Sequence, residues 1–224
     1  MAMVKRLWSV VAPLVAVAAL GAGLAALPGQ AHAQGGMEYY VTLKLGLQDA
    51  EKSSGNLVED FEMDHGPLVG DREVETRGVE FDVVMFPDRI FGVGLGLEYH
   101  VYNKRMDFRD PALVLPSGHL EIKGKAVLYI LKFYARTGPV LSYFGLGSGN
   151  YFLKYFERGA FSFRDTSRNV FTTRLGARVL LTESFNLLLE YGFTRAPVII
   201  ESRARRPQLD LGGTFLTIGL GVSF

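Results

Sequence analysis

Cysteine is absent from all 224 residues. Its absence excludes a disulfide framework, a thiolate metal site and a cysteine nucleophile. Beyond Leu27 no stretch approaches the ~18 consecutive apolar residues of a membrane-spanning helix, which removes helical spans from the remainder of the chain. An excess of one charge is missing too: 24 Lys and Arg stand against 23 Asp and Glu. A near-neutral chain gives no global case for a nucleic-acid partner. No glycine loop leads into a helix to cradle phosphate, and no His, Asp and Glu spacing fits zinc. No cofactor and no metal is therefore expected.

The N-terminus carries an export signal. Lys5 and Arg6 precede an apolar stretch from Leu7 to Leu27, and Ala31-His32-Ala33 is a small-x-small cleavage site before Gln34. The expected organisation is a signal peptide over residues 1–33 and one domain over 34–224. The exported part is rich in aromatics, all of them Phe and Tyr.

The C-terminus shows the period of that domain. Leu216, Ile218, Leu220, Val222 and Phe224 alternate with Thr217, Gly219, Gly221 and Ser223, a strand with one apolar and one weakly polar face. The same alternation recurs upstream. Tyr39, Val41, Leu43, Leu45 and Leu47 share a face, as do Val79, Phe81, Val83 and Met85. Phe91, Val93, Leu95, Leu97, Tyr99 and Val101 alternate with Gly92, Gly94, Gly96, Glu98, His100 and Tyr102. The run from His119 to Tyr134 reads with Lys123 and Lys125 on one face and Ile122, Ala126, Leu128 and Ile130 on the other. Val140 to Phe156, with Gly145, Gly147 and Gly149 opposite Phe144, Leu146 and Phe152, is interrupted near Ser148 and Asn150, where a bulge is expected. Two further runs centre on Leu175 and Leu189. Pro87-Asp88-Arg89, Arg136-Thr137-Gly138-Pro139 and Thr182-Glu183-Ser184 have turn chemistry.

These runs make an all-β chain, an eight-stranded antiparallel up-and-down barrel. A soluble lipocalin-like barrel has the same strand number but needs an apolar interior. Here the face in register with Leu95, Leu189 and Leu220 carries almost no charge, and the opposite face carries the ionisable residues. An eight-stranded interior is only wide enough to be filled by side chains, too narrow for so many large apolar groups. Grease therefore faces outward, as in a transmembrane β-barrel of a bacterial outer membrane. Both termini are expected in the periplasm, with outer loops at Asp49–Thr76, Asn103–Gly118, Glu157–Arg168 and Glu201–Leu211.

Gly138-Pro139 leading into Phe144-Gly145-Leu146-Gly147, Leu187-Leu188-Leu189-Glu190-Tyr191, and the closing Gly219-Leu220-Gly221-Val222-Ser223-Phe224 make the chain similar to the small eight-stranded outer-membrane barrels of the OmpA, OmpX and OmpW kind. The resemblance implies an integral outer-membrane protein, monomeric and without enzymatic activity. It also implies Leu220, Val222 and Phe224 as an insertion signal read by the barrel-assembly machinery, and an OmpW-like passage for small or hydrophobic solutes as the alternative to a structural or surface role.

The chemistry of the interior rests on Lys44, Glu80, Asp82, Glu98, His100, Lys123, Lys125, Arg174, Arg178 and Glu190, expected to face inward as a charge network. Buried charges must be paired, so these residues are expected to plug the lumen; a gated pathway would require them to rearrange. His100 beside Glu98 has the form of a general-base pair. Yet His65, His100 and His119 all lack a serine two residues on, the pair found in lipid-deacylating barrels, and catalysis is not expected. In the fourth outer loop, Arg203, Arg205 and Arg206 are candidates for lipopolysaccharide phosphates, which Arg binds through its fork of donors. The acidic first loop lacks the glycine and terminal acid of a calcium loop, and Pro111 to Pro116 forms an apolar patch in the second.

Overall fold

The structure, a computed structural model, describes residues 36–49, 68–69, 73–108, 118–157, 162–199, 208–210 and 212–224. The strands are β1 (Met37–Asp49), β2 (Leu68–Val69), β3 (Glu73–Met85), β4 (Phe91–Phe108), β5 (Gly118–Thr137), β6 (Val140–Glu157), β7 (Ser162–Leu180), β8 (Phe185–Arg195), β9 (Pro197–Ile199), β10 (Gln208–Asp210) and β11 (Gly213–Ser223). The eight long strands pair antiparallel in the order β4-β3-β1-β11-β8-β7-β6-β5, and β4 pairs with β5 to close the ring. This is the up-and-down barrel that the alternation predicts. The seam between β1 and β11 runs from Tyr40↔Ser223 to Gln48↔Phe215. Beyond it, Tyr39 and Phe224 exchange two backbone hydrogen bonds of 3.1 Å, and their rings stack 5.9 Å apart.

Three tight turns lie at one end of the barrel, here the turn end. Between β3 and β4, Asp88 accepts the backbone N–H groups of Ile90 (2.7 Å) and Phe91 (2.6 Å), which hold its carboxyl below the usual carboxylate range. Between β5 and β6, Gly138 has φ 58°, the positive value that the first central residue of a two-residue II′ hairpin requires. Pro139 then supplies the fixed negative φ of the second. Between β7 and β8, Thr182 Oγ1 accepts the N–H of Phe185 at 3.0 Å. The register between β6 and β7 shifts at the expected height, between Gly149 and Tyr151, but the extra residue is in β7 and not in β6: Asn150 alone faces Arg168 and Asn169, while the β5–β6 ladder runs through unbroken.

At the opposite, loop end the strands run further than expected. β4 continues to Phe108 and β7 begins at Ser162, so the outer connections after β4 and β6 are shorter than the sequence suggested. The reason is pairing: Phe108↔Gly118 and Phe156↔Ser162 extend the ladders through polar segments whose composition alone reads as loop. The fourth connection contains a small hairpin of β9 on β10. Residues 1–33, Pro111 to Pro116, Asp60, Glu62, Asp64, Arg203, Arg205 and Arg206 lie outside the described residues.

The exterior is apolar. Leu95, Tyr129 and Leu175 are each more than 60% exposed, within a belt that includes Phe81, Phe133, Leu189, Tyr191 and Ile218. On β4 the outward apolar positions run from Phe91 to Val101, about 33 Å along the strand. At the usual tilt that is roughly the 25 Å band of a membrane barrel.

Candidate functional site

The interior is built by complementary rows. Across β4, β5 and β6 the inward residues pair as Gly94↔Lys132↔Gly145, Gly96↔Ile130↔Gly147 and Glu98↔Leu128↔Gly149. Glycines on the flanking strands leave space that the larger β5 side chains fill. Gly96 is the clearest case. A Cβ there would lie 2.6 Å from Asp82 Oδ1 and 3.4 Å from Lys132 Cε, so the glycine admits an ion pair.

Four carboxylates and four cations meet at the barrel's middle, all buried: Glu80, Asp82, Glu98 and Glu190 with Lys44, Lys132, Arg174 and Arg178. Lys44 Nζ lies 2.8 Å from Glu80, 2.5 Å from Glu98 and 2.8 Å from Glu190. Arg174 Nη1 binds Glu98 at 2.5 Å and Glu190 at 2.7 Å. Lys132 pairs with Glu80 and sits 2.9 Å from Asp82 Oδ1. Arg178 Nη2 reaches Asp82 at 2.7 Å, while its Nη1 donates to Thr42 and Asn186 at 3.0 Å. Tyr143 donates to Glu190 at 2.6 Å. Every charge thus has an opposite partner at hydrogen-bond range, the condition for burying it.

Aromatics flank the ions on both sides. Toward the turn end, Arg178 stacks 4.2 Å over Tyr40, and Tyr40, Val84, Phe86, Tyr134, Leu141, Tyr143 and Leu188 form an apolar layer. Below it Arg136 pairs with Glu38 at 2.5 Å and lies over the Phe86 ring. Toward the loop end stand His100, Tyr102 and Tyr151, with ring centroids 5.3–6.4 Å apart. His100 Nδ1 is 2.9 Å from Glu98, and among the described residues no hydroxyl is hydrogen-bonded to its Nε2 as a nucleophile would be.

Of the expected inward set, Lys44, Glu80, Asp82, Glu98, His100, Arg174, Arg178 and Glu190 are brought together. Lys123 and Lys125 are not: both are exposed on the outer face of β5. The inward residues of β5 are Ala126, Leu128, Ile130, Lys132 and Tyr134, the opposite parity to that expected. Both faces of this strand are apolar at mid-height, so polarity misled near the rim, where lysines can face outward into water or headgroups. Lys132 was missed for the same reason. Its signal was present in Tyr129, Leu131 and Phe133, large apolar groups at alternate positions around it that mark the outer face. In the C-terminal strand, Leu220 and Phe224 are exposed on the outer side, while Val222 is 6% exposed. Among the described residues no group of His, Asp and Glu is arranged to hold a metal ion.

No protein-family model and no curated protein matches the chain. Among solved structures it is similar to Ail, the attachment invasion locus protein of Yersinia pestis, in complex with the heparin analogue sucrose octasulfate, at TM-score 0.47 and 13% identity over 86% of this chain and 100% of that one. It is also similar to the N-terminal β-barrel domain of Pseudomonas aeruginosa OprF, at 0.45 and 14% over 85% and 100%. The outer membrane protein OprG of Pseudomonas aeruginosa matches at 0.45 and 13% over 87% and 99%.

Proposed function

We propose that this chain is an integral outer-membrane barrel whose interior is a plug, with its role in the envelope or at the cell surface exercised by its outer end and lipid face. The reading is non-enzymatic. It takes the turn end as periplasmic, since short turns face that side in bacterial barrels. The apolar belt supports membrane insertion: exposed to water, so continuous a band would drive aggregation.

The observation that carries the plug is the closed set of buried pairs linking Lys44, Arg174, Lys132 and Arg178 to Glu80, Asp82, Glu98 and Glu190. A continuous water path would have to part several of these contacts, and separating one buried pair costs about 3–5 kcal/mol. The apolar layer around Tyr134 and Leu188 lies across the same axis.

Planar-bilayer recording on the refolded protein tests this. The expected record is free of steady conductance. Steady wild-type conductance that Arg174→Ala abolishes would refute the plug in favour of a gated path. Folding in water without detergent or lipid would refute the membrane assignment itself.

A further inference from the structure

Basic groups on the outer surface are unevenly placed. Among the described residues, Arg77 on β3 and Lys123 and Lys125 on β5 are exposed at the loop end of one side of the barrel. Arg77, Val101 and Lys125 share one row across β3, β4 and β5. Strands are about 4.8 Å apart, which puts the Arg77 and Lys125 backbones about 10 Å apart, with both side chains able to reach a group between them. Lys123 stands one outward position further along β5. Among the described residues Glu75 lies 3.7 Å from Arg77, with the two side chains 65% and 47% exposed, a loose pair that a stronger anion can displace.

Below this cluster the same strands, with β6 and β7, form an apolar cleft. It has a volume of about 730 Å³ and is lined by Phe81, Leu97, Tyr129, Leu131, Leu146 and Phe171, with backbone at Gly96 and Gly147. Phe81 and Tyr129 lie four residues from Arg77 and Lys125, about 13 Å along their strands. Cations at headgroup height above a hydrocarbon-sized cleft match an amphiphile that carries phosphate at one end and acyl chains at the other. Clustered cations favour a headgroup with more than one phosphate, and Arg and Lys both bind such groups by charge-assisted hydrogen bonds.

We propose that the outer face of β3–β7 binds a phosphorylated, multi-acyl glycolipid of the outer leaflet: lipopolysaccharide. Arg77, Lys123 and Lys125 hold its phosphates, and an acyl chain occupies the cleft between Phe81 and Phe171. The site rests on the membrane orientation proposed above and is separate from Arg203, Arg205 and Arg206.

The test uses the full mature chain refolded in zwitterionic vesicles, with lipopolysaccharide, its dephosphorylated form or phosphatidylglycerol added, and lipid retained on the affinity-purified protein measured. Wild type should retain lipopolysaccharide in preference to both other lipids. Arg77→Gln/Lys123→Gln/Lys125→Gln should insert normally and retain at least tenfold less. Leu146→Trp, which fills the cleft and leaves the cations in place, should also lower retention. Normal insertion with unchanged retention by the triple variant overturns this site alone. So does equal retention of phosphatidylglycerol or of dephosphorylated lipid, or a loss seen only in Arg203→Gln/Arg205→Gln/Arg206→Gln. Failure of wild type to enter vesicles while folded overturns the site and the orientation together.

Discussion

Replacing Lys132 by Met preserves side-chain length and apolar volume but deletes the cation shared by Glu80 and Asp82. Glu80 keeps Lys44 at 2.8 Å, with Arg178 3.8 Å away, and Asp82 keeps Arg178 at 2.7 Å. The interior would then hold one more anion than cation. Removing one partner of a buried pair costs about 3–5 kcal/mol, and because both carboxylates retain a cation we expect the lower end, about 3 kcal/mol. The matched control is Lys123→Met/Lys125→Met, which removes two exposed charges from the same strand and should stay within about 0.5 kcal/mol of wild type. Urea titration of the barrel in lipid vesicles, with the folded fraction read from the mobility of unboiled samples on a gel, gives both numbers. Adding Asp82→Leu to Lys132→Met restores the charge balance and should recover part of the loss. The reasoning fails if Lys132→Met is as stable as wild type, or if the rim double variant is the one that collapses.

Two further outcomes follow from the local geometry. Gly96→Val places its Cβ 2.6 Å from Asp82 Oδ1 and should destabilise by about 1–3 kcal/mol by overpacking; a neutral result in the same titration would show that this face has slack. Asp88, whose carboxyl is held low by two backbone N–H donors, stabilises the folded state above the ordinary carboxylate pKa of about 3.9. That contribution disappears as pH falls through its lower folded value. Asp88→Asn should therefore differ from wild type in unfolding midpoint near neutral pH and converge with it in acid; a gap that widens in acid would reverse the sign.

How far the sequence carries this fold depends on which physical signal decides each element. The strand faces around Leu95, Leu189 and Leu220 were legible because one side is uniformly apolar and the other small or charged, so parity has one solution. The turns at Asp88, Gly138 and Thr182 were legible from residues that bond their own backbone or adopt positive φ. Lys123 and Lys125 were not, because the inward face of β5 at mid-height is Leu128 and Ile130, as apolar as the outward face. Beyond the bulk of Tyr129, Leu131 and Phe133, the glycines at Gly96 and Gly147 on neighbouring strands show which side needs filling, and using them requires the pairing register. The extension of β7 to Ser162 was hidden for a related reason: its ladder with β6 comes from a tertiary partner, not from its own composition.

Lys44 has a further consequence for assembly. Its amine touches carboxylates from β3, β4 and β8, so a chain that has laid down β1 through β7 holds four lumenal cations against three anions. Glu190 completes the neutral tally only when β8 arrives. The last hairpin thus carries the one carboxylate that balances the buried cations of β1, β5 and β7.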